Sequence, residues 1–153
     1  MHGREPKILN DIFFVCSFIE FLGRKTLNHR AEVVNALGKA NIQHLLELAD
    51  VYHSENMEKL ADDFVMKASI PTATFDNISL ARYSIPTIWD MGKVHKRLIV
   101  SLMEYRHCDD ATSLIMEVYN SWISTKLENY NSSLYFENPD YIFQSYLNGS
   151  LLE

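Results

Sequence analysis

The sequence predicts an all-α fold, a helical bundle of about six to seven helices arranged as one unit or as two small helical subdomains. Three observations carry that expectation. Apolar residues recur at helical spacing along most of the chain. Cap residues stand at the start of the successive segments. The 153 residues include only five Gly and four Pro, too few for a sheet with many tight turns.

The first helix is expected from Ile8 to Leu22. Ile8, Ile12, Val15, Ile19 and Leu22 form one face, and Phe14, Phe18 and Phe21 form a second stripe beside it. Asn10, Ser17, Glu20 and Arg24 leave a narrow polar edge. A helix apolar over most of its girth belongs at the centre of a core or in an interface, which leaves self-association open. Gly23 reads as its C-cap, with Arg24 and Lys25 suited to the negative helix end. Asn28 reads as the cap of a second helix through Ala31, Val34 and Leu37 to Gly38. Asn41 reads as the cap of a third, carrying Ile42, Leu45, Leu46 and Ala49. Ser54 reads as the cap of a fourth, with Glu55 and Glu58 in its first turn and Leu60, Ala61 and Phe64 on its apolar face. Residues 1–68 thus read as an N-terminal four-helix unit.

Periodicity fades over residues 69–86, where Pro71, Thr72, Thr74, Asn77, Ser79, Ser84 and Pro86 dominate. This segment reads as a linker between subdomains or as a strap across a single bundle. Residues 87–153 form a second helical unit, rich in aromatics. Thr87 and Asp90 stand in a capping-box arrangement before Val94, Leu98, Leu102 and Tyr105. Asp109 or Asp110 reads as the cap of a helix carrying Ala111, Leu114, Ile115, Val118, Trp122 and Ile123. Asn131-Ser132-Ser133 reads as a break. Pro139 suits the first turn of a last helix, with Gly149 beyond its end.

Composition bounds the function classes. The chain is 47% hydrophobic and 22% charged, close to globular averages, so an ordered core is expected. The formal charge is -6, and neither half has an excess of basic residues. Nucleic acid is therefore disfavoured as the main partner. A helix-turn-helix drawn across residues 31–51 would read DNA with Asn41-Ile42-Gln43-His44-Leu45-Leu46-Glu47, which has no Lys or Arg for phosphates. Cys16 lies in an apolar run and reads as a small core residue, while Cys108 is far away; this usage suits a reducing cytoplasm. Met1 to Pro6 lack a signal-peptide pattern, and the apolar run Ile12 to Leu22 is too short for a bilayer that needs about 20 residues. No membrane association is expected, and the Asn131 sequon reads as chance.

Enzyme signatures are absent: there is no Gly-rich phosphate loop, nucleophile elbow, HExxH or CxxC. No catalytic residue, metal site or cofactor is therefore expected. His107-Cys108-Asp109-Asp110 has metal-friendly residue types, but adjacent residues point in different directions. Lys93, His95, Lys96 and Arg97 make a short basic run that reads as a dispersed, solvated face. Of the 18 aromatics, 12 fall in residues 71–153. Trp122, Tyr135 and Tyr141 are the binding candidates among them, because Tyr and Trp join an apolar body to a polar tip; closing the end of a small helical core is the simpler reading of the same residues.

One segment carries a resemblance. Asp50-Val51-Tyr52-His53-Ser54-Glu55-Asn56, followed by Leu60-Ala61-Asp62-Asp63-Phe64, resembles a family of short uncharacterised bacterial proteins over about residues 8–68. That family has a Leu-His-Thr turn and, nine residues after the His, an Asp-Asp pair. His53 and Asp62 keep the spacing, whereas Tyr52, Ser54 and Asn56 replace the usual Leu, Thr and Gly. The resemblance implies a small helical unit and makes His53, Asp62 and Asp63 further binding candidates. Members are often encoded beside predicted ADP-ribosyltransferase-like proteins, which implies a toxin–antitoxin or accessory setting. The residues themselves also have an architectural reading, with Ser54 as a cap and Asp63 and Lys67 as an i, i+4 pair.

These readings converge on a protein-binding module, antitoxin-like or an accessory partner of another bacterial protein. An enzyme pairing His53 with Asp62 or Asp63, or His95 with residues 107–110, is the second expectation. A DNA-binding regulator is the third.

Overall fold

The computed structural model describes residues 7–153; the reading of Met1 to Pro6 lies outside them. The described residues form eight α-helices and one 3-10 turn, without a strand. They are α1 (Lys7–Thr26), α2 (Arg30–Glu47), α3 (Ala49–Tyr52), α4 (Met57–Ala68), α5 (Ile88–Arg106), α6 (Ala111–Tyr119), α7 (Trp122–Leu127) and α8 (Pro139–Asn148), with the 3-10 turn at Leu134–Phe136.

Four of these helices pack in a ring. α1 lies against α2 and α5, and α6 closes the ring against α2 and α5. α3 and α4 cover α1 and α2, and α8 covers α5. Most of the apolar girth of α1 is thereby buried within the chain. Ile12, Val15, Phe18, Ile19 and Leu22 are all fully buried, while Ile8 at the start of the same stripe is exposed and Phe13 and Phe21 are half-buried. Where α1 meets α5, Gly92 lies against Ser17. A Cβ at position 92 would stand 2.8 Å from the Ser17 backbone nitrogen, so the helices approach more closely than any larger residue permits.

Several local readings match the structure. Thr87 and Asp90 form a reciprocal capping box, Asp110 caps α6 through Ser113, Pro139 opens α8, and Gly149 ends it with a φ of 84°. Gly38 bends α2 with a φ of 75°, a left-handed position that suits Gly. Cys16 is buried, and both cysteines are free. No helix among the described residues is long and apolar enough to cross a membrane.

Other readings are corrected. α1 does not stop at Gly23 but runs to Thr26, and Leu27 takes the left-handed position with a φ of 57°. Gly23 is there because the Arg30 side chain lies on it: a Cβ would meet Arg30 Cδ at 2.3 Å. Asn28 does not cap α2, since its amide donates to Thr26 Oγ1 and the Pro71 carbonyl. α2 breaks at Gly38 into two helical segments, as expected, but Asn41 does not cap the second: its amide donates back to the Leu37 carbonyl across the break. Asn56, not Ser54, caps α4 by accepting from Lys59 N at 3.1 Å. Lys67 sits over the Phe64 ring at 5.4 Å and does not pair with Asp63.

Residues 69–86 form a strap. Ala73 N and Phe75 N donate to the carbonyls of Thr26 and Leu27 at 2.9 and 2.8 Å. Ile70, Asn77 and Pro86 are its buried residues. Backbone pairing with the end of α1 holds this non-helical segment against the bundle.

Candidate functional site

The middle of the polar edge expected along α1 faces inward, while Asn10 is exposed and Arg24 half-buried. Ser17 and Glu20 are buried, and Glu20 meets Arg30 from the first turn of α2. A charged pair leaves water at a large cost unless its hydrogen bonds are satisfied. Here they are satisfied densely. Arg30 Nε and Nη2 each donate to a Glu20 oxygen at 3.0 Å, a bidentate fork. Arg24 Nε donates to Glu20 Oε2 at 2.9 Å, and the Tyr130 hydroxyl donates to the same oxygen. Arg30 Nη1 donates to the Asn28 carbonyl at 2.8 Å, and Nη2 also reaches Asn77 Oδ1 at 3.2 Å.

The network extends to the C-terminal end of α7. Glu128 Oε2 accepts from Arg30 N at 2.5 Å, and Oε1 lies 2.9 Å from His29 Nδ1. Glu128 thus supplies the N-terminal cap of α2 from 98 residues away. The Glu128 carbonyl accepts from Asn77 Nδ2 at 3.0 Å, and Arg24 Nη2 donates to the Pro86 carbonyl at 2.6 Å. Two strap residues are therefore tied to the ends of α1, α2 and α7.

Electrostatics follow the geometry. Burial alone pushes the Glu20 carboxyl up, but the charge and hydrogen bonds of Arg30, then Arg24 and Tyr130, overcome it and hold the group at about 2. Burial, followed by the Glu20 charge, pushes the Tyr130 hydroxyl up to about 12. Burial works against the Arg30 charge, yet Glu20 outweighs it and raises Arg30 further above its ordinary range.

A furrow runs over this network. Its first hollow, about 330 Å³, has His29, Phe75, Leu80, Arg82, Glu128 and Tyr130 among its walls. A second, about 250 Å³, shares Tyr130 and Asn131 with the first and adds Tyr83, Tyr135 and Phe136. A third, about 430 Å³, shares Tyr135 and Phe136 and continues to Asp90, Lys93 and Arg97 on α5. Asn131 joins the rims: its Nδ2 donates to the Leu80 carbonyl at 3.1 Å, and its Oδ1 accepts from Arg82 N at 2.7 Å. Leu80, Tyr83 and Phe136 are 65%, 73% and 68% exposed along this path. The basic run of α5 is also less dispersed than expected, because Lys93, Lys96 and Arg97 surround one further hollow with Asn10 and Phe13.

The sequence candidates fare unevenly. Tyr135 lies in the furrow, edge-on to Tyr130 and Phe136. Trp122 is half-buried at the start of α7 and lines none of the three hollows. Tyr141 donates to the Leu152 carbonyl at 2.8 Å, tying down the C-terminal residues. His53 ends α3 on the surface, and Asp63 is exposed on α4. Asp62 and Glu58 share Lys25, at 3.3 and 2.7 Å. None of these helix-surface positions lines the hollows described above. His95 is buried and stacked on Tyr119 at 4.3 Å, with Nδ1 against the Met91 carbonyl, whereas His107, Asp109 and Asp110 are exposed. Among the described residues no group of three His, Cys, Asp or Glu could hold a metal ion.

Arg30, Asn77, Glu128, His29 and Arg82 are absent from the sequence candidates. One clue to Arg30 was present in the sequence: Glu20 interrupts the apolar run Ile12 to Leu22 on a helix apolar over most of its girth, and a carboxylate buried there demands a cation. Comparison with protein-family models, with curated proteins and with solved structures finds no match for this chain.

Proposed function

We propose that this chain is a protein-interaction module whose furrow takes an extended segment of a partner carrying bulky apolar side chains and carboxylates. The supporting observation is the continuity of the three hollows beneath rigidly mounted aromatics. Exposed Tyr83 and Phe136, and half-buried Tyr135, stand on segments anchored by Asn131 and by the buried charge network. Aromatic anchors with few free rotamers lose little entropy on binding, which suits recognition of another protein. Arg82, at one end, and Lys93 and Arg97, at the other, have no ion-pair partner among the described residues. On a chain of net charge -6 these cations favour carboxylates placed at the two ends of a bound segment. An accessory or antitoxin-like role is the setting in which such a module would work.

The test is selection of 12-residue peptides from a random displayed library with the full chain as bait. Recovered sequences should combine Trp, Phe or Leu with Asp or Glu. Their affinity should fall by about 2 kcal/mol or more in Phe136→Ala, and also in Arg97→Glu. Lys59→Ala, on exposed α4, should leave it unchanged. Peptides that bind with no response to either furrow substitution would refute the reading.

A further inference from the structure

The strap end of the furrow has a chemistry of its own. Phe75, Leu80 and the Tyr130 ring make apolar walls around about 330 Å³, enough for a small side chain and one polar head. The buried polar groups lining it are already engaged by the protein. Asn77 gives its oxygen to Arg30 and its amide to Glu128, and both Glu128 oxygens are held by His29 and Arg30 N. The hydrogen-bonding capacity left for a ligand lies at the mouth. The Arg82 guanidinium has no partner among the described residues, and its neighbours there include His29, Thr125 and Asn129. His29 is half-exposed, its ring stacked on Phe75 at 3.8 Å and its Nδ1 fixed by Glu128, so Nε2 is the ring nitrogen without a partner.

Charge favours an anion. Around the hollow and the network under it stand three arginines, Arg24, Arg30 and Arg82, against two carboxylates, Glu20 and Glu128. Every oxygen of the two carboxylates already accepts a donor, and the three guanidinium charges exceed the two carboxylate charges by one. A planar guanidinium with free N–H groups matches a carboxylate in two-pronged geometry.

The geometry points to a carboxylate-binding subsite here, in which Arg82 holds the head and the pocket of Phe75, Leu80 and Tyr130 holds a compact apolar body. Two sources share that chemistry, a free small organic acid and the C-terminal carboxylate of a bound peptide. The inference takes its place in the furrow from the reading above. Probes small enough to fill this end alone report on it even where longer segments fail to bind.

The full chain is titrated, by heteronuclear NMR, with 4-methylpentanoate, with an N-acetylated dipeptide ending in leucine, and with that dipeptide amidated at its C-terminus. The expected result is saturable shifts at Phe75, Leu80 and Arg82 with the free-acid probes, and binding about tenfold weaker or more in Arg82→Met. Arg82 is exposed, and the fold does not lean on its side chain. Equal binding of 4-methylpentanoate and the acid dipeptide supports a subsite for free acids. Preference for the dipeptide supports a C-terminal site. Binding of the amide as tight as the acid, indifference to Arg82→Met, or no shifts at millimolar probe would overturn the subsite.

Discussion

Arg30→Met is the most direct probe of what holds the strap end together. The substitution keeps an unbranched apolar stem and removes the fork. It deletes two hydrogen bonds to Glu20 and those to the Asn28 carbonyl, Asn77 and Tyr130. It strands a carboxylate that is 2% exposed, with only Arg24 and Tyr130 left to serve it. Breaking a buried pair by removing one partner costs about 3–5 kcal/mol. That is a large share of the roughly 5–15 kcal/mol that holds a domain together. For a chain of this size each kcal/mol moves the midpoint by about 2–4 °C, so a fall of roughly 10 °C is expected. Urea unfolding followed by far-UV circular dichroism at neutral pH measures the free energy directly. Glu20→Met/Arg30→Met should recover part of the loss, because an apolar pair leaves no charge unanswered. A loss under about 1 kcal/mol for Arg30→Met, or a double variant as unstable as the sum of its singles, would refute the view that the two charges stabilise each other.

The remaining predictions rest on the same interior. Glu20 is held at about 2 against an ordinary 4.5, so its contribution is complete above pH 4.5 and disappears as pH falls towards 2; about 3 kcal/mol should vanish over that window in acid titration, and Glu20→Gln should flatten it. Tyr130 titrates at about 12 in the folded chain against an ordinary 10, so stability should fall as pH rises from 10, and Tyr130→Phe should remove that alkaline slope while costing stability at neutral pH. Gly23→Ala should destabilise by more than about 1 kcal/mol in thermal unfolding even though Ala favours helix, since its Cβ would displace the pinned Arg30 stem. Gly92→Ala should cost more than Gly23→Ala, because the obstacle there includes the Ser17 backbone at 2.8 Å and α1 must shift from α5.

The helices and many of their ends were legible because the information for them is local. Thr87 with Asp90, Asp110 with Ser113, and Pro139 with Gly149 each act within a turn of their own position. The start of α2 was not legible, because its cap is Glu128, and no pattern near Arg30 announces a carboxylate 98 residues away. Gly23 was misread for a related reason. Its smallness answers the Arg30 side chain rather than a left-handed turn, and only the folded chain brings the two together. Glu20 and Ser17 show the limit of periodicity itself. A helical wheel separates polar from apolar residues but does not say whether the polar edge meets water or a buried arginine. Among the site residues Tyr135 was anticipated through aromatic density. The furrow needed the strap, which has no period to read.

The network also bears on how the furrow works. An apolar interior under the strap would supply burial energy without direction, and the edge at residues 80–85 could settle in several registers. Asn77, Glu128 and Arg30 accept only arrangements in which each donor meets its acceptor, since a misplaced strap would leave buried charge unanswered. The exposed side chains of Leu80, Tyr83 and Phe136 thus inherit their positions from hydrogen bonds made below them, with Asn131 as the direct link between the rims. Asn131→Ala separates this view from a purely structural one. Both hydrogen bonds are on the surface, so the change should cost about 1 kcal/mol or less in urea unfolding. If rigid mounting of the aromatics governs binding, the same variant should weaken furrow-binding peptides at least tenfold, a larger effect on affinity than on stability. Affinity that holds steady while amide exchange of residues 79–84 accelerates would show that the furrow does not depend on a fixed strap.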